Sequence, residues 1–217
     1  MNNTETIITQ RGFCYTCYRP SSSCMCRFIE KIETKTKFVI LMHPKEFRKT
    51  KNGTGQFTKN ILCNSELFKG IDFSNHNKVN QILDNKNNDC YLLYPGENSL
   101  NLSQETISSK GNLVIFIIDS TWPCSKKIIK NSKNLQKLKM ISFDPNKTSA
   151  FKIKKQPNEY CLSTIESTQY LIELLNKQKI ENLKIQDLKK MTKPFEKMVE
   201  YQLMCAEKRK DPRYKNY

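Results

Sequence analysis

The sequence predicts an α/β protein built on a mostly parallel sheet with helices on both faces. Three observations carry this reading. Short β-rich apolar runs alternate with stretches whose apolar residues recur at helical spacing. The strongest run, Leu113–Ile118, is apolar on both faces, as a central parallel strand is. No internal repeat or low-complexity linker interrupts the alternation. Strands and helices in turn pack as helices over a parallel sheet.

Each element follows from its local pattern. Lys37–Met42 reads as the first strand and Cys90–Tyr94 as a second. Leu113–Ile118 is the central one, and a helix starts after it near Ser120 or Thr121. Pro123 falls in that helix's first turn, where a missing N–H costs little, and Ile128, Ile129 and Leu135 continue the helical spacing. Lys139–Phe143 is the fourth strand. Ser163 with Glu166 three residues on is a capping box, opening a helix that carries Ile165, Tyr170, Leu171, Leu174 and Leu175. A last helix spans Ile185–Glu207. Parallel sheets hold ligands at the carboxyl ends of their strands. Chemistry is therefore expected just after Ile118, at Asp119-Ser120-Thr121-Trp122, which contains the only tryptophan.

Composition bounds the function. Among 217 residues, 37 Lys and Arg face 21 Asp and Glu, a formal net charge of +16. Such an excess attracts polyanions, and because only six of the basic residues are Arg, it favours backbone phosphate over base edges. Nucleic acid is the leading partner; no feature points to an obligate protein partner. The longest clean apolar run is far short of the roughly 20 residues that span a membrane. The first residues lack the basic and apolar pattern of a secretory signal. The expectation is a soluble cytoplasmic protein with no membrane association. Nine cysteines without an export signal argue against a disulfide scaffold.

Four of those cysteines cluster as Cys14-Tyr15-Thr16-Cys17 and Cys24-Met25-Cys26. Thiolates this close can close a tetrahedral site around a structural zinc, leaving no open position for metal catalysis. Arg11, Arg19 and Arg27 would favour the thiolate form, and the expected knuckle presents them to RNA. The expected organisation is a zinc knuckle over residues 1–30 and an α/β catalytic domain over 31–217, ending in a helix and a basic tail. The other cysteines (Cys63, Cys90, Cys124, Cys161, Cys205) read as core thiols.

Further motifs follow in order: His43-Pro44-Lys45-Glu46 after a strand, Asn52-Gly53-Thr54-Gly55, the Asp119-Ser120-Thr121-Trp122 tetrad, Ser163-Thr164-Ile165-Glu166 and Tyr201-Gln202. With the cysteine cluster, this ordered set resembles the DTW-domain family, the tRNA-uridine aminocarboxypropyltransferases, from about Gly12 to Tyr214. Ser120 and Ser167 stand where the family commonly has glycine and alanine. The resemblance implies a knotted α/β core like that of the SPOUT superfamily. It also implies S-adenosylmethionine as donor, and transfer of the 3-amino-3-carboxypropyl group to N3 of a tRNA uridine. The family's usual target in bacteria is position 47 in the variable loop; the products are acp3U and methylthioadenosine. The few glycines form no G-x-G-x-x-G loop after a strand, in keeping with a cofactor site of another kind.

The resemblance assigns expected roles. Asp119 either accepts the N3 proton or orients the donor's ammonium group; an ordinary Asp, with a pKa of about 3.9, is a poor base for so weak an acid. Thr121 caps the next helix or contacts ligand, and Trp122 stacks on a base or adenine or packs in the core. Tyr94-Pro95-Gly96 resembles the family's cofactor loop. Ser163, Thr164 and Glu166 open a helix whose N–H groups suit the donor's carboxylate. His43, Glu46, Asn52 and Thr54 form a polar loop for substrate, with Arg48, Lys49, Lys51 and Lys59 beside it. Lys126, Lys127 and Lys130 are solvated or contact phosphate, as are Lys152, Lys154 and Lys155. Two other readings stay open: a non-catalytic zinc-containing RNA-binding protein, and a SPOUT-like RNA methyltransferase.

Overall fold

The computed structural model describes residues 12–48, 53–145, 149–150 and 161–208. The chain opens with a small antiparallel hairpin, β1 (Phe13–Cys14) and β2 (Arg19–Pro20), followed by single 3-10 turns at Ser21–Ser23 and Cys26–Phe28. The main unit begins with β3 (Lys37–Met42), α1 (Pro44–Arg48), α2 (Gly55–Ile61), β4 (Ser65–Lys69) and α3 (Asn77–Leu83). It continues with β5 (Asn88–Leu93), β6 (Leu100–Asn101), β7 (Asn112–Asp119) and α4 (Trp122–Asn131). β8 (Lys139–Ser142), α5 (Thr164–Lys177) and α6 (Ile185–Lys208) complete it.

Strands β3 to β8 form one six-stranded sheet in the order β4-β3-β7-β5-β8-β6, with every pairing parallel. Helices cover both faces, as expected. Alternation along the strands separates two cores. Phe38, Tyr91, Ile115, Ile117 and Ile141 face Phe57 and Ile61 of α2, Ile165 and Leu171 of α5, and Phe195 of α6. Val39, Leu41, Leu92 and Phe116 face Val79 and Ile82 of α3 and Ile128 of α4. Burying each such side chain contributes roughly 1.5–3 kcal/mol, so the doubly covered β7 anchors the sheet. The cysteine knuckle packs into the first of these cores through Cys14, Cys17, Met25 and Cys26. Glu30 ties the end of that segment to Lys190 and Lys193 of α6.

The strands and helices read from the sequence agree in kind and differ at their ends, whereas β4, β6, α1, α2 and α3 were not read, and α1 places Glu46 on a helix where a loop was expected. α4 stops at Asn131, and Leu135 sits in a separate 3-10 turn instead of extending the helix. β5 is offset from Cys90–Tyr94 to Asn88–Leu93, and β8 stops one residue before Phe143. α6 runs through Pro194, which is buried within it. Cys63 is exposed and Cys90, Cys124, Cys161 and Cys205 are partly buried, so these are not deep core thiols. The knot that the resemblance implies depends on the path from β8 to α5, most of which (146–148 and 151–160) lies outside the described residues.

Candidate active site and metal centre

The hairpin and the turn after it gather four sulfurs. Tyr18, between β1 and β2, adopts a left-handed backbone (φ 56°), which reverses the chain tightly enough to bring the two cysteine pairs together. Cys14 Sγ lies 3.7 Å from Cys26 Sγ, and Cys17 Sγ 3.7 Å from Cys24 Sγ. All four lie within 4.8 Å of one another. A tetrahedron of thiolates at the usual Zn–S distance of about 2.3 Å has edges of about 3.8 Å, so the four sulfurs fit a zinc knuckle. Hydrogen bonding from Cys26 lowers the Cys17 thiol to about 5, against a burial cost and helped by Cys14, Cys24 and Arg19. Burial raises Cys24 to about 11, and the bond to Cys17 raises Cys26. Proton sharing of this kind is what a divalent ion displaces when it binds.

Arg19 lies directly behind the sulfurs, only 2% exposed. Its Nη2 donates to the Gly53 carbonyl at 3.0 Å and to Met198 Sδ at 3.2 Å, and its guanidinium stacks 4.0 Å above the Phe57 ring. Burial lowers its pKa to about 10, opposed by the neighbouring Cys17, Cys26 and Cys24. The group is still a cation at neutral pH.

A second focus lies at the carboxyl edge of the sheet. Met42 and Asp119 are register partners at the ends of β3 and β7, and the His43 N–H donates to the Asp119 carbonyl at 3.0 Å. The Asp119 side chain is buried and accepts a 2.6 Å hydrogen bond at Oδ1 from the Thr164 hydroxyl at the start of α5. Gly55, the first residue of α2, lies against the other side of the carboxylate. A Cβ there would sit 2.3 Å from Asp119 Oδ2 and 2.7 Å from Cγ, so only glycine fits. Four chain segments thus converge on one acid.

Beside this junction is a cavity of about 390 Å³ at the carboxyl ends of β5, β7 and β8, between the starts of α4 and α5. Leu93, Ile117, Ile118, Phe143 and Leu162 give it an apolar lining, and Ser120, Ser142, Thr164 and Ser167 add hydroxyls. Trp122 stands at its mouth, 44% exposed, edge-on to Tyr94 at 5.9 Å. A larger hollow of about 510 Å³ lies at the opposite, amino edge of the sheet among Lys35, Lys37, Lys78 and several Asn side chains. That edge is not where parallel sheets hold ligands, and the carboxyl-edge cavity is the candidate site.

The structure brings some expected residues together and separates others. Thr164, Trp122 and Pro95 line the cavity. Asp119 stands behind the wall, reaching the cavity through Thr164. Thr121 sits at the helix N-cap with extended backbone, its carbonyl accepting from Ser125 N–H, without a side-chain cap bond. Tyr94 and Gly96 flank the mouth, and the Gly96 carbonyl accepts from the Ser99 hydroxyl.

Glu166 faces away, into a neighbouring groove between α5 and α6. Its carboxylate accepts from the N–H and hydroxyl of Ser163, the hydroxyl of Ser149 and the N–H of Ala150. His43 is buried, and its Nδ1 accepts from the Lys45 N–H, which makes it a cap of α1. Thr54 is buried, and its carbonyl accepts from Thr58. Glu46 is partly buried, whereas Arg48, Lys126 and Lys127 are exposed. Asn52, Lys49, Lys51, Lys152, Lys154 and Lys155 lie outside the described residues. Sequence reasoning missed Ser142, Phe143, Leu162 and Ser167 as lining residues; the rule that pointed to Asp119 applies equally to the end of β8. Among the described residues no helix is long and apolar enough to cross a membrane.

Comparison with known proteins bears on the same segments. A family model for the DTW domain matches residues 11–203. Three relatives carry the name tRNA-uridine aminocarboxypropyltransferase 2. The Drosophila melanogaster protein is 30% identical over 172 residues, 76% of this chain and 67% of the relative. The Macaca fascicularis protein is 26% identical, over 89% of this chain and 64% of the relative. The Mus musculus protein is 25% identical, over 77% of this chain and 58% of the relative. The matched region thus spans about three-fifths to two-thirds of these relatives' length. No solved structure matches the chain.

Proposed function

Because the chain belongs to the DTW domain family, we propose that it transfers the 3-amino-3-carboxypropyl group of S-adenosylmethionine to N3 of a uridine in tRNA. The position proposed is 47, in the variable loop. The observation that carries the reading is the mostly apolar cavity at the carboxyl edge, whose wall is held by the Asp119–Thr164 hydrogen bond. The names of the relatives support the same activity.

In the proposed reaction the N3–Cγ bond forms as the S–Cγ bond breaks. Sulfur keeps the bonding pair and leaves as neutral methylthioadenosine, and the N3 proton passes to solvent or a nearby base. A sulfonium activates three carbons, so selectivity rests on which one the wall presents to the nucleophile. The apolar lining suits adenosine and the thioether. Thr164 uses its proton on Asp119, which leaves its oxygen as an acceptor on the cavity side, suited to the donor's ammonium group. The N-terminus of α5 suits the donor's carboxylate. Asp119 then orients Thr164 in place of touching N3. Glu166, saturated by four donors, clamps residues 149–150 against the helix start.

Trp122 at the mouth is positioned to stack on the target base, with Tyr94, Pro95 and Gly96 beside it. Exposed Arg48, Lys126 and Lys127 supply phosphate contacts. Zinc is the proposed occupant of the four sulfurs, where it stabilises the fold of the knuckle. The division at residue 30, a knotted core and a cytoplasmic setting that keeps the thiols reduced belong to the same reading.

Nucleoside mass spectrometry of unmodified tRNA incubated with protein and S-adenosylmethionine tests the reading. A uridine gaining the aminocarboxypropyl mass supports it. A methyl gain would indicate a methyltransferase, and tight RNA binding without any mass gain a non-catalytic binder.

A further inference from the structure

We propose that Arg19 is a positioning residue: the buried strut through which the cysteine knuckle holds the Gly53–Gly55 turn against the Asp119 carboxylate. The inference rests on the functional reading above only for its kinetic consequence.

A guanidinium buried to 2% exposure is costly, and an apolar side chain of similar volume in such a place is often neutral or better for stability. Only an arginine, however, can do three things there at once. It sets a positive charge beside the sulfurs of Cys17, Cys24 and Cys26. It donates to the Gly53 carbonyl at 3.0 Å. It also stacks 4.0 Å over Phe57, in the first turn of α2. The same planar group therefore grips both the turn and the helix that the turn opens.

The far end of that turn has no slack. Gly55 lies so close to Asp119 that a methyl group would be 2.3 Å from Oδ2. Asp119 in turn bonds Thr164, which lines the cavity. Arg19, Gly53, Gly55, Asp119 and Thr164 thus form a contiguous chain of contacts from the sulfur cluster to the cavity wall. A sub-ångström shift of the turn is passed to the acid and from it to the wall. Arg19 itself is not among the residues lining the cavity. Its loss should therefore degrade the chemical step, which depends on the exact placement of Thr164, more than donor binding, which the apolar lining largely supplies.

The test uses Arg19→Lys, which keeps the charge beside the sulfurs but cannot both stack and bond, with Arg19→Met as the more severe variant. Four quantities are measured: metal content, donor affinity by calorimetry, kcat and KM, and amide exchange at 55–57. Arg19→Lys is expected to retain metal and to bind donor within about twofold of wild type. Its kcat should fall about tenfold or more, and exchange at 55–57 should accelerate by at least about tenfold. Unchanged kcat and exchange with metal retained would overturn the proposal, as would donor affinity falling in step with kcat.

An inactive wild-type protein refutes the functional reading instead, and leaves the exchange measurement to decide this one. Should both variants fail to fold, wild-type protein with and without a zinc chelator replaces them. Exchange must then rise at 55–57 while 113–117 of β7 stays protected; uniform or absent change overturns the proposal.

Discussion

Replacing Thr164 by valine tests the wall of the site at its most constrained atom. The change is nearly isosteric, yet it removes the hydroxyl that donates to Asp119 Oδ1 at 2.6 Å. A hydrogen bond to a charged acceptor contributes about 1.5–3 kcal/mol, and the acceptor left behind stays buried. In a chain of this size each kcal/mol moves Tm by about 2–4 °C, so Thr164→Val should melt roughly 3–12 °C below wild type. Activity should fall further, because the valine also lacks the oxygen offered to the donor and frees the acid to shift. A loss of about a hundredfold in kcat/KM is the expectation for a misplacement of this size. Thermal melts together with transfer of labelled aminocarboxypropyl group to tRNA measure both effects. Thr164→Ser keeps the hydroxyl and should retain most of each. If Thr164→Val melts within about one degree of wild type and transfers normally, the Asp119–Thr164 contact does not organise the site.

Three more expectations follow from the same geometry. Trp122→Ala should leave Tm nearly unchanged, since the ring is 44% exposed, and raise KM for tRNA about 5- to 160-fold, the range of one lost base stack of about 1–3 kcal/mol; steady-state kinetics with varied tRNA reads this out. Chelation should strip the four-cysteine site and lower Tm by roughly 10 °C, as a ligand held at about a thousand times its Kd contributes about 4 kcal/mol; melts with metal analysis check it. Asp89 accepts from the N–H of Gly111, the hydroxyl of Ser109 and the N–H of Lys110, and these bonds depress its pKa below the ordinary 3.8. Its stabilisation is therefore complete above the unfolded value and lost as pH falls through the folded one, so the Tm gap between wild type and Asp89→Asn should close as pH drops below 3.8.

The parts of the fold legible in the sequence are those where a single local pattern dominates. β3 and β7 are dense apolar runs buried on both faces, and α5 begins with a capping box that the structure reproduces. β4 was missed because Ser65–Lys69 is an edge strand with partly buried residues and charges at two of five positions, so neither alternation nor an apolar run marks it. α3 is seven residues long with two buried apolar side chains, and its cap is His76, whose Nδ1 accepts from Val79 N–H. Histidine is not among the residues expected at that position. α2 opens on Gly55, a poor helix former, retained there because Asp119 leaves no room for a Cβ.

The site was legible to the same degree. Position on a strand end pointed to Asp119, and cysteine spacing pointed to the sulfur cluster. Neither spacing nor composition reports which way a strand-end acid turns. That depended on Thr164 and Gly55, distant in sequence, meeting it from α5 and α2. Arg19 was read as a charge near thiols that the knuckle presents to RNA; its burial and its reach to Gly53, 34 residues away, exist only in the folded chain.

The most direct measurement follows two labels at once. S-adenosylmethionine carrying one isotope in its aminocarboxypropyl chain and another in its methyl group is incubated with protein and unmodified tRNA, and the nucleosides and small products are separated. The chain label is predicted in a tRNA uridine and the methyl label in released methylthioadenosine, both lost together in Thr164→Val. Methyl label on the tRNA, or neither label on any nucleoside, would contradict the account.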